Sequence, residues 1–193
     1  KHVDYKDIYT EGITKISTRD FAYAKAMKRS IKLLATGKEV DGKYVAMVAP
    51  FMIPTSHPLY CVNDVFNAVY VTGNMLGDSM YYGRGAGKLP TASAVVSDIV
   101  DCARHVGKTI MCFWDEEKVE LENTDEVMQI FFVRVDKSKS SKEDVEKVFG
   151  NVSFINMPEY EDEIAFVTEA MKEKDFKVAS EKCDGLLSRI RVM

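Results

Sequence analysis

Strong charge of either sign is missing from this 193-residue chain: 26 Lys and Arg stand against 30 Asp and Glu, a formal net charge of −4. A nucleic-acid binder would carry a basic stripe, so the balance argues against that class of partner. No apolar run approaches the roughly 18 residues of a membrane-spanning helix, which argues against a membrane span. Cysteine is scarce as well. Cys61, Cys102, Cys112 and Cys183 form no C-x-x-C pair. They predict reduced, mostly buried thiols of a cytoplasmic protein, with neither a disulfide framework nor a zinc site. No metal site is expected. An initiating Met and a signal peptide are also lacking, and the opening "KHVDYKDIYTEGITKI" is what a segment of a longer protein would show.

What is present is apolar and unevenly charged. Hydrophobic residues make up 46% of the chain, enough to bury the core of one domain or of two small ones. Residues 1–114 carry 14 basic against 10 acidic residues, and residues 127–193 carry 11 against 13. Between them, "DEEKVELENTDE" at 115–126 carries 1 against 7, which predicts a solvated acidic linker joining two bodies.

The first body alternates strands and helices. Ser17 with Asp20 three residues on forms a capping box, predicting a helix to about residue 30 with Phe21, Ala24, Met27 and Ile31 on one face. The runs "IKLLATGKEV" and "KYVAMVAPFMIP" flank Asp41-Gly42, a strong hairpin signal. Pro50 and Pro54 are expected to push the end of the second run out of any central ladder. "HPLYCVNDVF" predicts a short helix or irregular loop, and "NAVYVTGNMLGDSMYYG" two strands turning near Gly73-Asn74. The aromatics of "VFNAVY" and "SMYY" are expected in the core. The class is α+β, with a mixed or antiparallel sheet and helices packed on it.

The stretch "MYYGRGAGKLPTASAVVSDIVD" holds three glycines in five residues, Gly83, Gly85 and Gly87. An amphipathic pattern then runs through Val95, Val96, Ile99, Val100, Ala103 and Val106, with Pro90 suited to a first helical turn. Strand, glycine loop and helix N-terminus in that order let backbone N–H groups face an anion, and glycine lets a ligand approach closely. The spacing is neither a Rossmann fingerprint nor a P-loop. From spacing alone, a ligand contact and a plain glycine-rich connection both stand. Other polar residues invite blander readings. His57 in "SHPLY" has no obvious metal or nucleophile partner and predicts a hydrogen-bonded residue organising its loop, near a subunit interface at most. Asp98 and Asp101 predict a solvated helix face. Arg84 suits a phosphate, a carboxylate on another domain, or a surface pairing.

"EGITKI", "HPLYCVNDVFNAVYVTG" and "YGRGAGKLPTASAVVSDIVD", in this order and spacing over about residues 3–107, resemble the C-terminal half of the catalytic region of homoserine dehydrogenases. The resemblance implies an NAD(P)-dependent oxidoreductase interconverting L-homoserine and L-aspartate 4-semialdehyde, on the route to threonine, methionine and isoleucine. It implies that the glycine loop closes on NADP or NAD, with Gly87 the first candidate contact and Gly85 the next. It also implies that the dinucleotide fold, the substrate-binding Asp and Lys and a monovalent-cation loop lie upstream of Lys1. No catalytic residue is therefore assigned within the chain, and the chain alone is expected to be inactive. The strand expected at "EGITKI" and the apolar sheet faces imply a homodimer or higher oligomer.

The second body predicts the order βαββαβ: "VMQIFFVRV", a helix capped by Ser141 and Asp144 and ended by Gly150, "VSFINM", "EIAFVTEA", the helix "KEKDFKVASEKC" and "LLSRIRVM". That order is ferredoxin-like. After a homoserine dehydrogenase region it resembles an ACT domain, which implies threonine as an effector. Its first loop, "DKSKSSKED", lacks the glycine turn by which many such domains close on an amino acid, so binding elsewhere, no binding and a dimer contact all stay open. The alternative function is a stand-alone amino-acid-binding regulatory or dimerisation module.

Overall fold

The computed structural model describes residues 2–40, 42–111, 113 and 116–193 of the chain. In chain order the first elements are β1 (Tyr9–Thr10), α1 (Thr18–Ala26), β2 (Arg29–Val40) and β3 (Lys43–Pro54). Then come β4 (Phe66–Gly73), β5 (Gly77–Arg84) and α2 (Lys88–Arg104). The remainder is β6 (Met128–Asp136), α3 (Lys142–Phe149), β7 (Val152–Ile155), β8 (Glu163–Thr168), β9 (Met171–Lys172), α4 (Glu173–Glu181) and β10 (Leu186–Val192). The class is α+β, as expected.

Two compact units emerge, residues 1–54 with 116–193, and residues 55–115. The division differs from the expected 1–114 and 127–193, because β10 runs parallel to β3 with Arg191 opposite Phe51. Strands more than a hundred residues apart thus share one eight-stranded mixed sheet, ordered β1-β3-β10-β6-β8-β7 with β2 on β3 and β9 on β6. The acidic stretch is part of this unit rather than a free linker. Lys118 and Leu121 bridge to His2 and Tyr44, Val119 is buried, and Glu126 pairs with Lys172 and Lys174. Asp115 lies outside the described residues.

β2 pairs with β3 along its whole length, from Arg29 opposite Pro54 to Val40 opposite Lys43. Gly42 takes φ +77 in the hairpin turn; Asp41 lies outside the described residues. Contrary to expectation, the prolines do not end β3. The carbonyls of Val48 and Met52 accept from the N–H groups of Glu11 and Met193, so residues of that parity face away from β2. β1 pairs at Met47 and Val48 and β10 at Phe51 and Met52. The missing N–H of Pro50 falls in the gap between them, and that of Pro54 beyond the last pairing. The parallel strand β1 lies at Tyr9–Thr10, and the expected strand "EGITKI" is a turn.

Alternation along β6 buries both faces. Phe131, Val133 and Val135 meet Val145 and Phe149 of α3 and Phe176 and Ala179 of α4. Phe132 meets Tyr23 and Ala24 of α1, with Ala165, Ile190 and Val192. α1 is shorter than expected and ends at Ala26, because Lys28 turns the chain with φ +54. Its buried residues are Asp20, Tyr23 and Ala24, while Phe21 is exposed. Residues 128–192 keep the predicted βαββαβ order, with β9 a short addition paired to β6.

In the second unit, β4 and β5 form a two-stranded ribbon from Phe66 opposite Arg84 to Gly73 opposite Gly77. None of its described residues is buried. None of the aromatics expected in a core is buried: Tyr81 and Tyr82 are exposed, Tyr81 to 71%, and Phe66 and Tyr70 are half-buried, because one ribbon and one helix have too little apolar area to enclose a core. Cys61 and Cys102, in this unit, are exposed and only Cys183 is buried, which corrects the expectation of mostly buried thiols; Cys112 lies outside the described residues. Among the described residues no helix is long and apolar enough to cross a membrane.

Candidate cofactor-binding loop

The glycine loop begins where the ribbon ends. Phe66 stacks on Tyr82 with ring centroids 4.8 Å apart, and the Arg84 guanidinium lies 5.4 Å from the Phe66 ring. Arg84 therefore has a cation–π partner on its own ribbon. Gly85 donates its N–H to the Val65 carbonyl at 3.3 Å. Gly87 then takes φ +120 and ψ 155 as the N-cap of α2. That φ is strained for any residue with a Cβ, although a Cβ there would meet Pro90 only at an ordinary 3.5 Å. Conformation, not space, requires glycine at 87.

The start of α2 is open. No side chain caps it and no acidic residue lies in its first turn. Its first amides and the positive end of the helix dipole therefore have neither a side-chain cap nor a first-turn carboxylate among the described residues. Gly87 with this helix start fits the phosphate part of a dinucleotide, which needs close backbone approach and N–H donors.

The structure brings few other polar groups to the loop. His57 caps the short 3-10 turn Pro58–Cys61, its Nδ1 accepting from the Leu59 N–H at 3.1 Å, and its ring lies 5.7 Å from that of Tyr70. The organising role expected of His57 is the one it plays. Thr72 donates to Asp78 at 2.8 Å, and the Asp78 carboxylate beside Tyr70 raises the phenol's pKa while its own is lowered. Asp98 and Asp101 are both exposed, and Asp101 pairs only with His105, at 3.3 Å, on the same helix.

A second polar feature, brought together from residues far apart in the chain, lies in the larger unit. Arg134 donates through Nε to Asp20 at 2.8 Å, through Nη1 to Glu163 Oε2 at 2.6 Å and through Nη2 to Ser17 Oγ at 2.8 Å. Arg19 reaches the same Glu163 oxygen at 3.1 Å. Burial disfavours the Asp20 carboxylate, yet the Arg134 and Ser17 hydrogen bonds outweigh it and hold its pKa below the usual range. The other Glu163 oxygen, Oε1, is buried and lies outside the Arg134 and Arg19 hydrogen bonds. Glu163 lines a cavity of about 450 Å³ together with Tyr23, Lys137, Lys142, Asn156 and Tyr160. Burial and the nearby Glu163 charge push the Tyr23 phenol well up.

Comparison with known proteins covers the segment that contains the loop. The sequence profile of the family described as homoserine dehydrogenase matches residues 1–100, a stretch that contains the glycine loop and the start of α2. The chain belongs to the homoserine dehydrogenase family. The homoserine dehydrogenase of Neisseria gonorrhoeae is 45% identical over 104 residues, covering 54% of this chain and 24% of that protein. That of Helicobacter pylori is 37% identical over 150 residues, 78% of this chain and 34% of the relative. The crystal structure of a homoserine dehydrogenase from Thiobacillus denitrificans superimposes with a TM-score of 0.79 at 28% identity, covering 98% of this chain and 48% of that one. For S. aureus homoserine dehydrogenase at pH 7.0 the TM-score is 0.70, covering 100% and 49%. The chain thus spans about half of these homoserine dehydrogenase structures and about a quarter to a third of the two curated relatives.

Proposed function

We propose that this chain serves an enzyme interconverting L-homoserine and L-aspartate 4-semialdehyde, in the biosynthesis of threonine, methionine and isoleucine, with NADP or NAD as cofactor. The observation that carries the reading is the family match over residues 1–100, because it embraces the loop whose Gly87 and open helix start fit a dinucleotide phosphate. The nicotinamide, when bound, supplies hydride acceptance and return. The chain's own part is to hold: Gly87 brings the backbone close to the ligand, and the first-turn amides of α2 donate to its phosphate oxygens. Fixing the cofactor in this way contributes orientation, which hydride transfer needs because the reacting carbons must meet in near-attack geometry.

In this reading the segment 1–114 serves substrate and dimer contacts and the segment 127–193 is an ACT-like regulatory module that shares its sheet with residues 1–54, in a cytoplasmic homodimer. The family membership favours this over a stand-alone module. Homoserine oxidation assayed with NAD and with NADP, on the 193-residue chain and on the full-length gene product, tests it. Turnover is expected in the full-length product alone. Turnover by the 193-residue chain would mean that the proton-transfer residues lie within it, and silence in both would remove the enzymatic reading.

A regulatory reading has one specific support: Glu163, with its buried Oε1, shares the lining of one cavity with Lys137 and Lys142. An ammonium group would satisfy the carboxylate oxygen and a carboxylate the lysines, so an amino-acid effector such as threonine suits the cavity. Calorimetry with threonine is expected to show binding that Glu163→Gln weakens. The absence of heat at millimolar threonine would discard this reading and leave the cofactor proposal untouched.

A further inference from the structure

The three glycines of the loop are glycine for different reasons. A Cβ added at Gly83 would meet nothing within 4 Å, and Gly87 is fixed by its φ. At Gly85 the obstacle is one side chain. An added Cβ would lie 2.1 Å from Asn67 Nδ2 and 2.9 Å from Asn67 Cγ. Asn67 stands on β4 opposite Gly83, just where the ribbon gives way to the loop. Its Nδ2 donates to the Val65 carbonyl at 3.4 Å, the same carbonyl that accepts the Gly85 N–H at 3.3 Å.

We infer that Asn67 is a positioning residue for the cofactor loop, and that residue 85 is glycine to make room for Asn67 rather than for the ligand. The Asn67 amide fills the space a side chain at 85 would take, and both groups are tied to one backbone oxygen. Val65, Asn67 and Gly85 so form a clamp at the root of the loop. The clamp fixes the direction in which Ala86, Gly87 and the first amides of α2 leave the ribbon. A side chain at 85 would drive Asn67 off Val65 and so release the root from which those amides leave. Asn67 contacts no cofactor in this account and acts through the loop. The inference rests on the reading of Gly87 as a dinucleotide contact.

The test is a double-mutant cycle in the full-length protein, read by fluorescence titration with NADPH and NADH and by the KM for each cofactor. Gly85→Ala is expected to weaken dinucleotide binding about tenfold and to raise the KM for NADPH or NADH by a similar factor, with the KM for homoserine far less affected. Asn67→Ala alone weakens it less. The double variant binds no worse than Asn67→Ala, since removing the amide clears the space for the new methyl group. If the two losses instead add in the double variant, Gly85 faces the ligand itself and the inference fails. A second readout needs no cofactor: amide hydrogen exchange at Gly85 in the 193-residue chain. Asn67→Ala is expected to speed it, and unchanged exchange overturns the clamp. Should the wild-type protein bind neither dinucleotide, the cofactor reading falls, while the exchange result still decides whether Asn67 holds the loop.

Discussion

Two helices in the larger unit close their own N-termini, and the helix after the glycine loop does not. The Ser17 hydroxyl oxygen accepts from the Asp20 N–H and the Asp20 carboxylate accepts from the Ser17 N–H, heading α1; Ser141 and Asp144 repeat the arrangement at α3. α4 lacks a side-chain cap but carries Glu173 and Asp175 in its first turn. α2 has neither cap nor acid there, only Gly87. The contrast extends to the units. Around β6 both sheet faces are buried and two arginines are sealed in by carboxylates, Arg134 by Asp20 and Glu163, and Arg191 by Glu173 and Glu11. Residues 55–115 have no buried described residue. The difference teaches that the larger unit closes two helix starts and pairs its buried arginines, whereas the loop-bearing unit leaves the start of its helix open.

The largest expected effect breaks the self-satisfied side. Arg134→Ala leaves Asp20 and Glu163 as buried carboxylates without their shared cation, and is expected to cost about 3–5 kcal/mol in chemical denaturation. Loss of under 1 kcal/mol would mean that water reaches these groups freely. A middle-sized pair sharpens the contrast between helix starts. Ser141→Ala removes a cap and should cost about 1 kcal/mol, without altering dinucleotide binding. Gly87→Ala forces a Cβ into a positive-φ conformation at a cost of about 1–3 kcal/mol, and here dinucleotide affinity should fall as well. Equal effects of both variants on binding would erase the distinction between a structural and an open helix end.

The closed helix starts were legible because the capping box is a local pattern: the Ser17 and Asp20 spacing, like that of Ser141 and Asp144, predicts a bond within one turn. The hairpin about Asp41-Gly42 and the βαββαβ order were legible for the same reason. What was hidden is long-range. Nothing local tells that β10 will lie along β3, or that Pro50 will face the gap between β1 and β10, so the prolines predicted an interruption that does not occur. Burial was misjudged on α1, where Asp20 goes inside only because Arg134, more than a hundred residues on, meets it. At the candidate site the glycines were visible, but the separate reasons for Gly85 and Gly87 were not, since one depends on the Asn67 side chain and the other on a backbone angle.

The smallest effects concern acid. The Lys172 and Lys174 ammonium groups hold the Glu126 carboxyl down at about 2, and the Ser138 hydroxyl and amide lower Asp136. Asp20, held down by Arg134 and Ser17, adds a buried member to this set. In each case the folded pKa lies below the unfolded one, so the unfolded chain binds more protons as pH falls. Stability from these groups is therefore complete above the unfolded carboxylate range, roughly pH 4 to 4.5, and drains as pH falls through the folded values. For Glu126 the loss should finish near pH 2. Lys172→Met with Lys174→Met removes both partners of an exposed carboxylate, so at pH 7 the melting temperature should barely move, as for other surface pairs. Between pH 4.5 and 2 the double variant should lose stability less steeply than the wild type, because Glu126 then protonates alike in both states. The buried member, Asp20, belongs to the larger unit, while in residues 55–115 Asp78 is lowered only by the Tyr70 and Thr72 hydroxyls at the surface, so backbone exchange there should follow this acid loss far less than exchange around β6. Equal acid sensitivity in the two units would remove the contrast on which the prediction rests.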